Sequence, residues 1–412
     1  MSAARPPEGA QLPLGGTARG AQGASEPSAL LPGAATLGVL GGGQLGRMFV
    51  HAAQALGYRC VVLDPDAVSP AGSVAEVHIR ADYLDPVGLA RLARDCDAIT
   101  TEFENVPADA LARLAEQRPV APGAAAVAIA QDRALEKAHF TRCGVPVAPN
   151  AVIASDEDLA GVADNLLPGI LKTARLGYDG KGQVRVATRG ELRGAWEDLK
   201  RVPCVLEKML PLAFECSVVV ARGRDGALVH LPVQRNLHRA GILAVTEVHE
   251  GCVDAKLAQR AVEAVRAIAD GLDYVGVLCV EFFGLEDGSL VVNEMAPRPH
   301  NSGHWSMDGA DVSQFELQVR TLAGLPLAAP RQHSPAIMLN LLGDLWFRDG
   351  SAEKTPDWAG VLALPGVHLH LYGKLSARPG RKMGHLTVTG PSVAQVRATA
   401  LRCADVLGIA PF

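Results

Sequence analysis

Aromatic residues are scarce, 4% of 412, which argues against a surface built to stack nucleobases. Basic charge is not in excess either: 39 Lys and Arg against 44 Asp and Glu leave a net charge of −5, so nothing points to nucleic acid as a partner. No apolar run approaches the roughly 18 residues of a membrane-spanning helix, and no compact apolar stretch follows a basic start as in a secretory leader. The eight cysteines never come closer than twelve positions apart. That spacing excludes a CxxC metal knuckle and a disulfide framework, and it makes a reduced, cytoplasmic setting the simplest expectation. What the chain does carry is apolar material, 48% hydrophobic against 20% charged. At about 150 residues per domain there is room for two to three cores.

Residues 1–36 are rich in Pro, Gly, Ala and Ser without hydrophobic periodicity, and read as a disordered extension. A buried strand at 37–40 then runs into a glycine turn. The helix that follows puts Leu45, Met48, Phe49, Ala52 and Leu56 on one face. Strands at 60–63 and 98–103, with a helix at 86–95 between them, make residues 37–130 an open parallel α/β sheet of Rossmann-like type. From 131 the pattern changes. A charged amphipathic helix at 131–143 precedes strands at 170–172, 184–186, 205–207 and 215–220, a helix at 254–271, and strands at 277–283 and 290–294. We expect an α+β domain over 131–330, with a lid over about 140–210, and a small β-rich domain over 331–412.

Three motifs carry chemistry. Gly41, Gly43 and Gly46 form GxGxxG between a strand and a helix, and Asp64 closes the next strand. Backbone amides at Gly43, Gln44 and Leu45 would suit an anion at a helix N-terminus, and alone the motif points to a dinucleotide. A tight turn that only packs strand on helix is the bland alternative. Second, Lys172 precedes Gly177-Tyr178-Asp179-Gly180-Lys181-Gly182-Gln183, a glycine-rich loop with a cationic centre suited to closing over polyphosphate. Third, Asp287-Gly288 signals a two-residue hairpin whose paired residues sum to 575, setting Glu281 opposite Glu294. Two carboxylates face to face call for a cation, and oxygen ligands with no His or Cys nearby favour Mg²⁺. The alternative is a solvent-facing pair at a ragged strand end. Just downstream, Arg298, His300, Asn301 and Ser302 suit a small anionic acceptor. Lys374, Arg378, Arg381 and Lys382 form a basic cluster, either a phosphate clamp or a solvated turn.

In this order, these landmarks resemble the ATP-grasp superfamily and, within it, the ATP-dependent family that makes 5-(carboxyamino)imidazole ribonucleotide. The carrying segments are GGGQLGRM at 41–48, TEFENVP at 101–107, GYDGKGQ at 177–183, NLHRAGIL at 236–243, NEMAPRPHNSGHW at 293–305, QFELQVR at 314–320 and RPGRKMGHL at 378–386. The resemblance implies a three-domain ligase that uses ATP, Mg²⁺ and bicarbonate to carboxylate 5-aminoimidazole ribonucleotide through carboxyphosphate. It implies a cytoplasmic homodimer too.

Carried onto this sequence, the resemblance places Lys172, Lys181 and Arg133 at the nucleotide, together with the 177–183 loop. It sets Glu207 and Lys208 beside the adenine, Glu215 at the ribose and His238 at a further nucleotide position, with Asn293 next to Glu294. Glu281 and Glu294 become the Mg²⁺ ligands. Tyr178, Asp179, His300, Asn301, Ser302, Lys374, Arg381 and Lys382 would hold the ribonucleotide, joined by Glu102 or its neighbour Glu104. Arg298 would take bicarbonate, and Lys181, Arg298 and His300 would serve the chemistry. The glycine turn at 43–45 would then hold a substrate phosphate. A formate-using purine ribonucleotide transformylase, an NAD-dependent oxidoreductase resting on 41–46 plus Asp64, and a nucleotide-sensing module are the other readings.

Overall fold

A computed structural model describes residues 29–177, 181–348, 350 and 352–412. Its first layer is a parallel sheet of β1 (Thr36–Leu40), β2 (Arg59–Leu63), β3 (Val77–Ile79) and β4 (Ala98–Thr101), in the order β3-β2-β1-β4. Leu37, Val39 and Leu40 are fully buried because helices cover both faces of the sheet. Helix Gln44–Ala55 packs Met48, Phe49 and Ala53 with Leu37 and Val39 on one side. Helices Pro86–Asp95 and Ala108–Ala115 pack Leu89, Leu92 and Leu111 against Leu40 and Ile99 on the other. The expected disordered extension falls mostly on residues 1–28, outside the described residues. Order begins earlier than Thr36, however: Leu30 N–H donates to the Ala323 carbonyl at 2.8 Å, and the Tyr58 hydroxyl donates to the Leu30 carbonyl at 2.6 Å.

The helix expected at 131–143 spans Arg133–Arg142 and ends at Gly144, whose φ of +71° suits a residue without a Cβ. It is not amphipathic in the ordinary sense. Beside Phe140, its buried face is Glu136, Lys137 and His139, each polar head held by a partner across the interface. Strands β5 (Asn150–Ile153), β6 (Gly169–Thr173), β7 (Gln183–Val186) and β8 (Cys204–Lys208) follow as an antiparallel sheet ordered β5-β8-β6-β7. Its core is built on Trp196, Leu171, Leu192 and Leu206. Tyr178, Asp179 and Gly180, at the crest of the expected lid loop, lie outside the described residues.

The remaining strands form one large antiparallel sheet. They are β9 (Leu212–Arg222), β10 (Leu228–His230), β11 (Gln234–Arg239), β12 (Ile242–Val248), β13 (Gly276–Leu285), β14 (Leu290–Ala296), β15 (Ala336–Leu342), β16 (Val367–Leu371) and β17 (Lys382–Thr389). The order is β14-β13-β9-β11-β12-β15-β17-β16, with β10 beside β9. The C-terminal strands therefore extend the preceding sheet, joined where Val245 pairs with Leu339. Helix Ala255–Gly271 covers one end of the sheet through Ala261, Val265 and Ile268, and helix Val393–Leu407 covers the other through Val396, Ala400 and Leu407.

Register on this sheet positions the candidate metal ligands. Glu281 does pair with Glu294, but not through the two-residue turn expected from Asp287-Gly288. The loop holds three residues, with Leu285 N–H bonded to the Ser289 carbonyl at 2.9 Å and Gly288 at φ +78°, the type I turn plus bulge that three-residue hairpins adopt. Phe282 consequently faces Val292. A bulge at Asn293 then absorbs one residue and restores the pairing of Glu281 with Glu294.

Candidate active site

The glycine turn does not do what its sequence signature promises. Gly42 N–H donates to Asp64 Oδ2 at 2.7 Å, Gly43 N–H to Glu102 Oε1 at 2.8 Å and Gly46 N–H to Glu102 Oε2 at 3.0 Å. The anion at this helix N-terminus is thus the chain's own carboxylate. Asp64, the acidic residue of the dinucleotide fingerprint, is also taken, by Tyr83 Oη at 2.8 Å and by the Asp66 amide. The glycines answer to the same internal packing: a Cβ on Gly41 or on Gly43 would sit 2.6 Å from a Glu102 atom. Gly43 is therefore not an open phosphate donor, and the dinucleotide reading loses both the Gly43 amide and Asp64 on which it rested. Gln44 and Leu45 still line the cavity described next, as does Glu102.

That cavity, of about 870 Å³, gathers residues from every part of the chain. Gly42 to Leu45 and Glu102 to Asn105 form one wall. Arg133 and Glu136 stand beside Gly177 and Lys181 at the base of the lid loop. Glu281 and Glu294 come from adjacent strands, and Arg298, His300, Asn301 and His304 from the loop beyond them. Lys374 and Arg378 to Lys382 close the far side. Its size fits a small-molecule site. Residues about 240 positions apart, from Arg133 to Lys374, converge here, as expected for one reaction centre and not for separate surface features.

The two carboxylates are polarised in opposite senses. Arg133 Nη1 lies 2.9 Å from Glu294 Oε2, and Nη2 donates to the Gly177 carbonyl at 3.3 Å, so one guanidinium ties the strand to the lid base. Burial alone would favour the neutral acid, yet the charge and hydrogen bond of Arg133 overcome it and hold Glu294 down at about 2. For Glu281 burial wins: although His238 opposes it, the like charges of Glu294 and Glu215 reinforce it, and the carboxyl is pushed up to about 7. Glu281 Oε1 is buried without a hydrogen-bond partner. An orphaned carboxylate oxygen opposite a second carboxylate fits a hard divalent cation such as Mg²⁺. The absence of nearby histidine expected from the sequence does not hold, since the fold brings His300 Nε2 to 3.5 Å from Glu281 Oε1. Burial, aided by the charge on Arg298, keeps His300 neutral.

The loop at 298–304 is held from behind. Arg298 Nε is hydrogen-bonded to Glu104 Oε2, and Nη1 donates to the Pro299 carbonyl at 3.0 Å. Gln314 Oε1 accepts from His300 N–H at 2.9 Å, while its Nε2 donates to the His300 carbonyl at 2.8 Å and to His304 Nδ1 at 2.9 Å. Asn301 lines the cavity with both amide atoms buried and unpaired, the state of a group whose partner is a ligand. Ser302 differs from expectation. It is fully buried, off the cavity wall, and bonds Ser217 Oγ at 2.8 Å and His300 Nδ1 at 2.9 Å. It supports His300; burial denies it substrate.

Other expected nucleotide residues stand behind the wall. Lys172 Nζ is 3.1 Å from Glu207 Oε2, and Lys137 Nζ is 3.4 Å from Glu207 Oε1, a buried triad whose two cations hold Glu207 ionised against burial. Glu207 faces lysines, not open space. Lys208 follows it in β8 with its amide bonded to the Pro149 carbonyl, and Gln183 pairs with Lys172 across β6 and β7. Gly182, at φ +71°, bonds Thr173 N–H through its carbonyl at 2.8 Å. Glu215 Oε2 and His238 Nδ1 are 2.6 Å apart. Asn293 sits in the bulge, its Oδ1 buried without a partner and its carbonyl accepting from Lys137 Nζ at 2.6 Å. On the basic side, Lys374 Nζ donates to the Lys382 carbonyl at 2.6 Å and Arg381 Nη1 to the Ser376 carbonyl at 2.8 Å, holding both heads at the cavity.

Sequence reasoning missed Glu104 as the partner of Arg298, and it missed Glu136, Lys137 and Gln314. Glu104 was visible in TEFENVP, and Gln314 opens QFELQVR. Glu136 and Lys137 gave no signal, because buried charges on a helix read as a solvated face.

Comparison with known proteins agrees with this geometry. Residues 34–131 match the ribonucleotide synthetase preATP-grasp domain, 138–315 the ATP-grasp domain, and 336–399 the phosphoribosylaminoimidazole carboxylase C-terminal domain. The N5-carboxyaminoimidazole ribonucleotide synthase of Brucella melitensis is 44% identical over 88% of this chain and 98% of its own. That of Pseudomonas aeruginosa is 43% identical over 90% and 95%. The chain belongs to the N5-carboxyaminoimidazole ribonucleotide synthase family. Solved structures of the family superpose closely. The Staphylococcus aureus N5-carboxyaminoimidazole synthetase complexed with ADP has a TM-score of 0.83 at 37% identity, covering 92% of this chain and 99% of that one. The Aspergillus clavatus N5-carboxyaminoimidazole synthase, in complex with ADP and 5-aminoimidazole ribonucleotide, has a TM-score of 0.82 at 32% identity, covering 91% and 99%. Among the described residues no helix is long and apolar enough to cross a membrane.

Proposed function

We propose that the cavity carries out ATP- and bicarbonate-dependent carboxylation of the amine of 5-aminoimidazole ribonucleotide, giving N5-carboxyaminoimidazole ribonucleotide, ADP and phosphate. One observation carries this reading. The opposed carboxylates Glu281 and Glu294, the base of the glycine-rich lid, the Arg298–Asn301 loop and the basic run from Lys374 to Lys382 all face one space. A bicarbonate oxygen attacks the γ-phosphorus, the new O–P bond replaces the bond to ADP, and carboxyphosphate results. The amine nitrogen then bonds to the carboxyl carbon, directly or after CO₂ is released, losing a proton as phosphate departs.

Glu281 and Glu294 would hold Mg²⁺, which neutralises charge on the transferring phosphoryl group. Arg133 keeps Glu294 ionised for this role. Lys181 stands at the lid base to meet the phosphates, and Lys172, clamped by Glu207, presents a fixed charge behind them. Arg298, aligned by Glu104, suits bicarbonate in a planar two-point contact. Asn301 and neutral His300 orient the ribonucleotide ring, and Lys374, Arg381 and Lys382 grip its phosphate. Closing the 177–183 loop would exclude water from the labile carboxyphosphate.

The reading is tested by ADP release. Release should require bicarbonate and rise on adding 5-aminoimidazole ribonucleotide, with N5-carboxyaminoimidazole ribonucleotide accumulating. Formate in place of bicarbonate should support none of it. Formate-dependent turnover would transfer the protein to the transformylase reading.

A further inference from the structure

Behind the site lies a group of imidazoles that the carboxylation does not use. Strands β16 and β17 pair His370 directly with His385, placing both rings on one face of the sheet. His368, two residues earlier, shares that face. Asp308, from the short helix Ser306–Gly309, packs over it, with Oδ2 2.8 Å from His370 Nε2 and Oδ1 3.7 Å from His368 Nδ1. One potential ligand atom from each of Asp308, His370 and His385 lies within 4.8 Å of the other two. His385 is fully buried; its Nδ1 meets the Tyr372 hydroxyl at 3.0 Å, and its Nε2 has no hydrogen-bond partner. A buried, unpaired ring nitrogen is costly to fold, and here it stands among two further donors of metal-binding type.

We propose that Asp308, His370 and His385, with His368 at the mouth, bind a borderline divalent cation of the Zn²⁺ class at a site separate from Glu281 and Glu294. Imidazole nitrogens with one carboxylate suit zinc and its neighbours, whereas magnesium demands oxygen. With Nδ1–H donated to the Tyr372 oxygen, Nε2 becomes the ligand. Ligand atoms of a tetrahedral site with bonds of about 2.0–2.1 Å stand roughly 3.4 Å apart. The group therefore closes by about an ångström as His370 turns off its stack on His385, where the centroids are now 4.6 Å apart. The His370 side chain is 27% exposed and that of His368 42%, which opens a path for the ion. The His304 ring lies tilted against His385 with centroids 4.8 Å apart, so a bound cation would brace the 298–304 loop against β17, the strand that begins with Lys382.

The test is a Co²⁺ titration of the chelator-treated full chain without nucleotide, followed by visible ligand-field absorption and by competition with Zn²⁺. One equivalent per chain should bind, and Zn²⁺ should displace it. D308N and H370Q should each weaken binding by about tenfold or more, while E281Q should leave it unchanged. Circular dichroism checks the fold of each variant, and H368Q, at the exposed mouth, provides a third whose effect should be smaller but in the same direction. Missing absorption bands, bands that survive D308N and H370Q together, or loss in E281Q alone would each overturn the site.

Discussion

Glu281 and Glu294 occupy one rung of a ladder and ionise in opposite directions because only Glu294 has a guanidinium in contact. The sign for folding follows. Glu281 is raised to about 7, above an unfolded carboxyl near 4.5, so between those values the native state binds more protons. Its stabilising contribution is complete below about pH 4.5 and is lost as pH rises through 7. Glu294, held low by Arg133, contributes in the opposite sense, its share being lost only as pH falls toward 2. Without metal, Tm should therefore fall between pH 5 and 8 relative to E281Q, and saturating Mg²⁺–ATP should reverse the fall. Parallel wild-type and E281Q curves would refute this. The same substitution should lower kcat on the order of 10²–10³-fold with native circular dichroism retained.

Among elements, helix Gln314–Ala323 matters through its first side chain. One amide satisfies three groups of the 298–304 loop, so Q314L should cost about 2–3 kcal/mol in denaturant unfolding. It should also reduce kcat more than it weakens ATP binding, because the loop faces the acceptor; an unchanged kcat would contradict this role. The loop residues themselves were legible, as RPHNSGH concentrates polar groups between prolines, but their anchor lay at the start of a later helix. The hairpin was legible for a different reason. A two-residue turn without a bulge and a three-residue turn with one give the same partner for Glu281, and the bulge at Asn293 leaves no mark in residue spacing. The helix Arg133–Arg142 misled, since Glu136 and Lys137 look like solvent-facing charges until their partners, the Met295 amide and Glu207, are placed in space.

For the whole molecule, the alternation of strand and helix gave the parallel layer, and the strand pairs gave the antiparallel one. The glycine turn was legible as a helix start, but the carboxylate that occupies the Gly43 and Gly46 amides, Glu102, follows β4 and carries no spacing signature, while Gln44 and Leu45 stay on the cavity wall. The expectation of unpaired thiols is testable in bulk. All eight cysteines are free, and only Cys143 is not fully buried. A thiol reagent should modify about one cysteine quickly in the native chain and eight after denaturation, Cys143 being identified by mass spectrometry; rapid loss of several would contradict the packing.

The unbroken run of hydrogen-bonded strands from β14 to β16 has a mechanical meaning. The glutamate rung lies near one margin and Lys382 near the other in strand order, yet the Lys382 charge reaches Glu281 and both line one cavity, so the sheet coils to bring its two ends together. A change that flattened the middle strands would part those two ends without touching either of them.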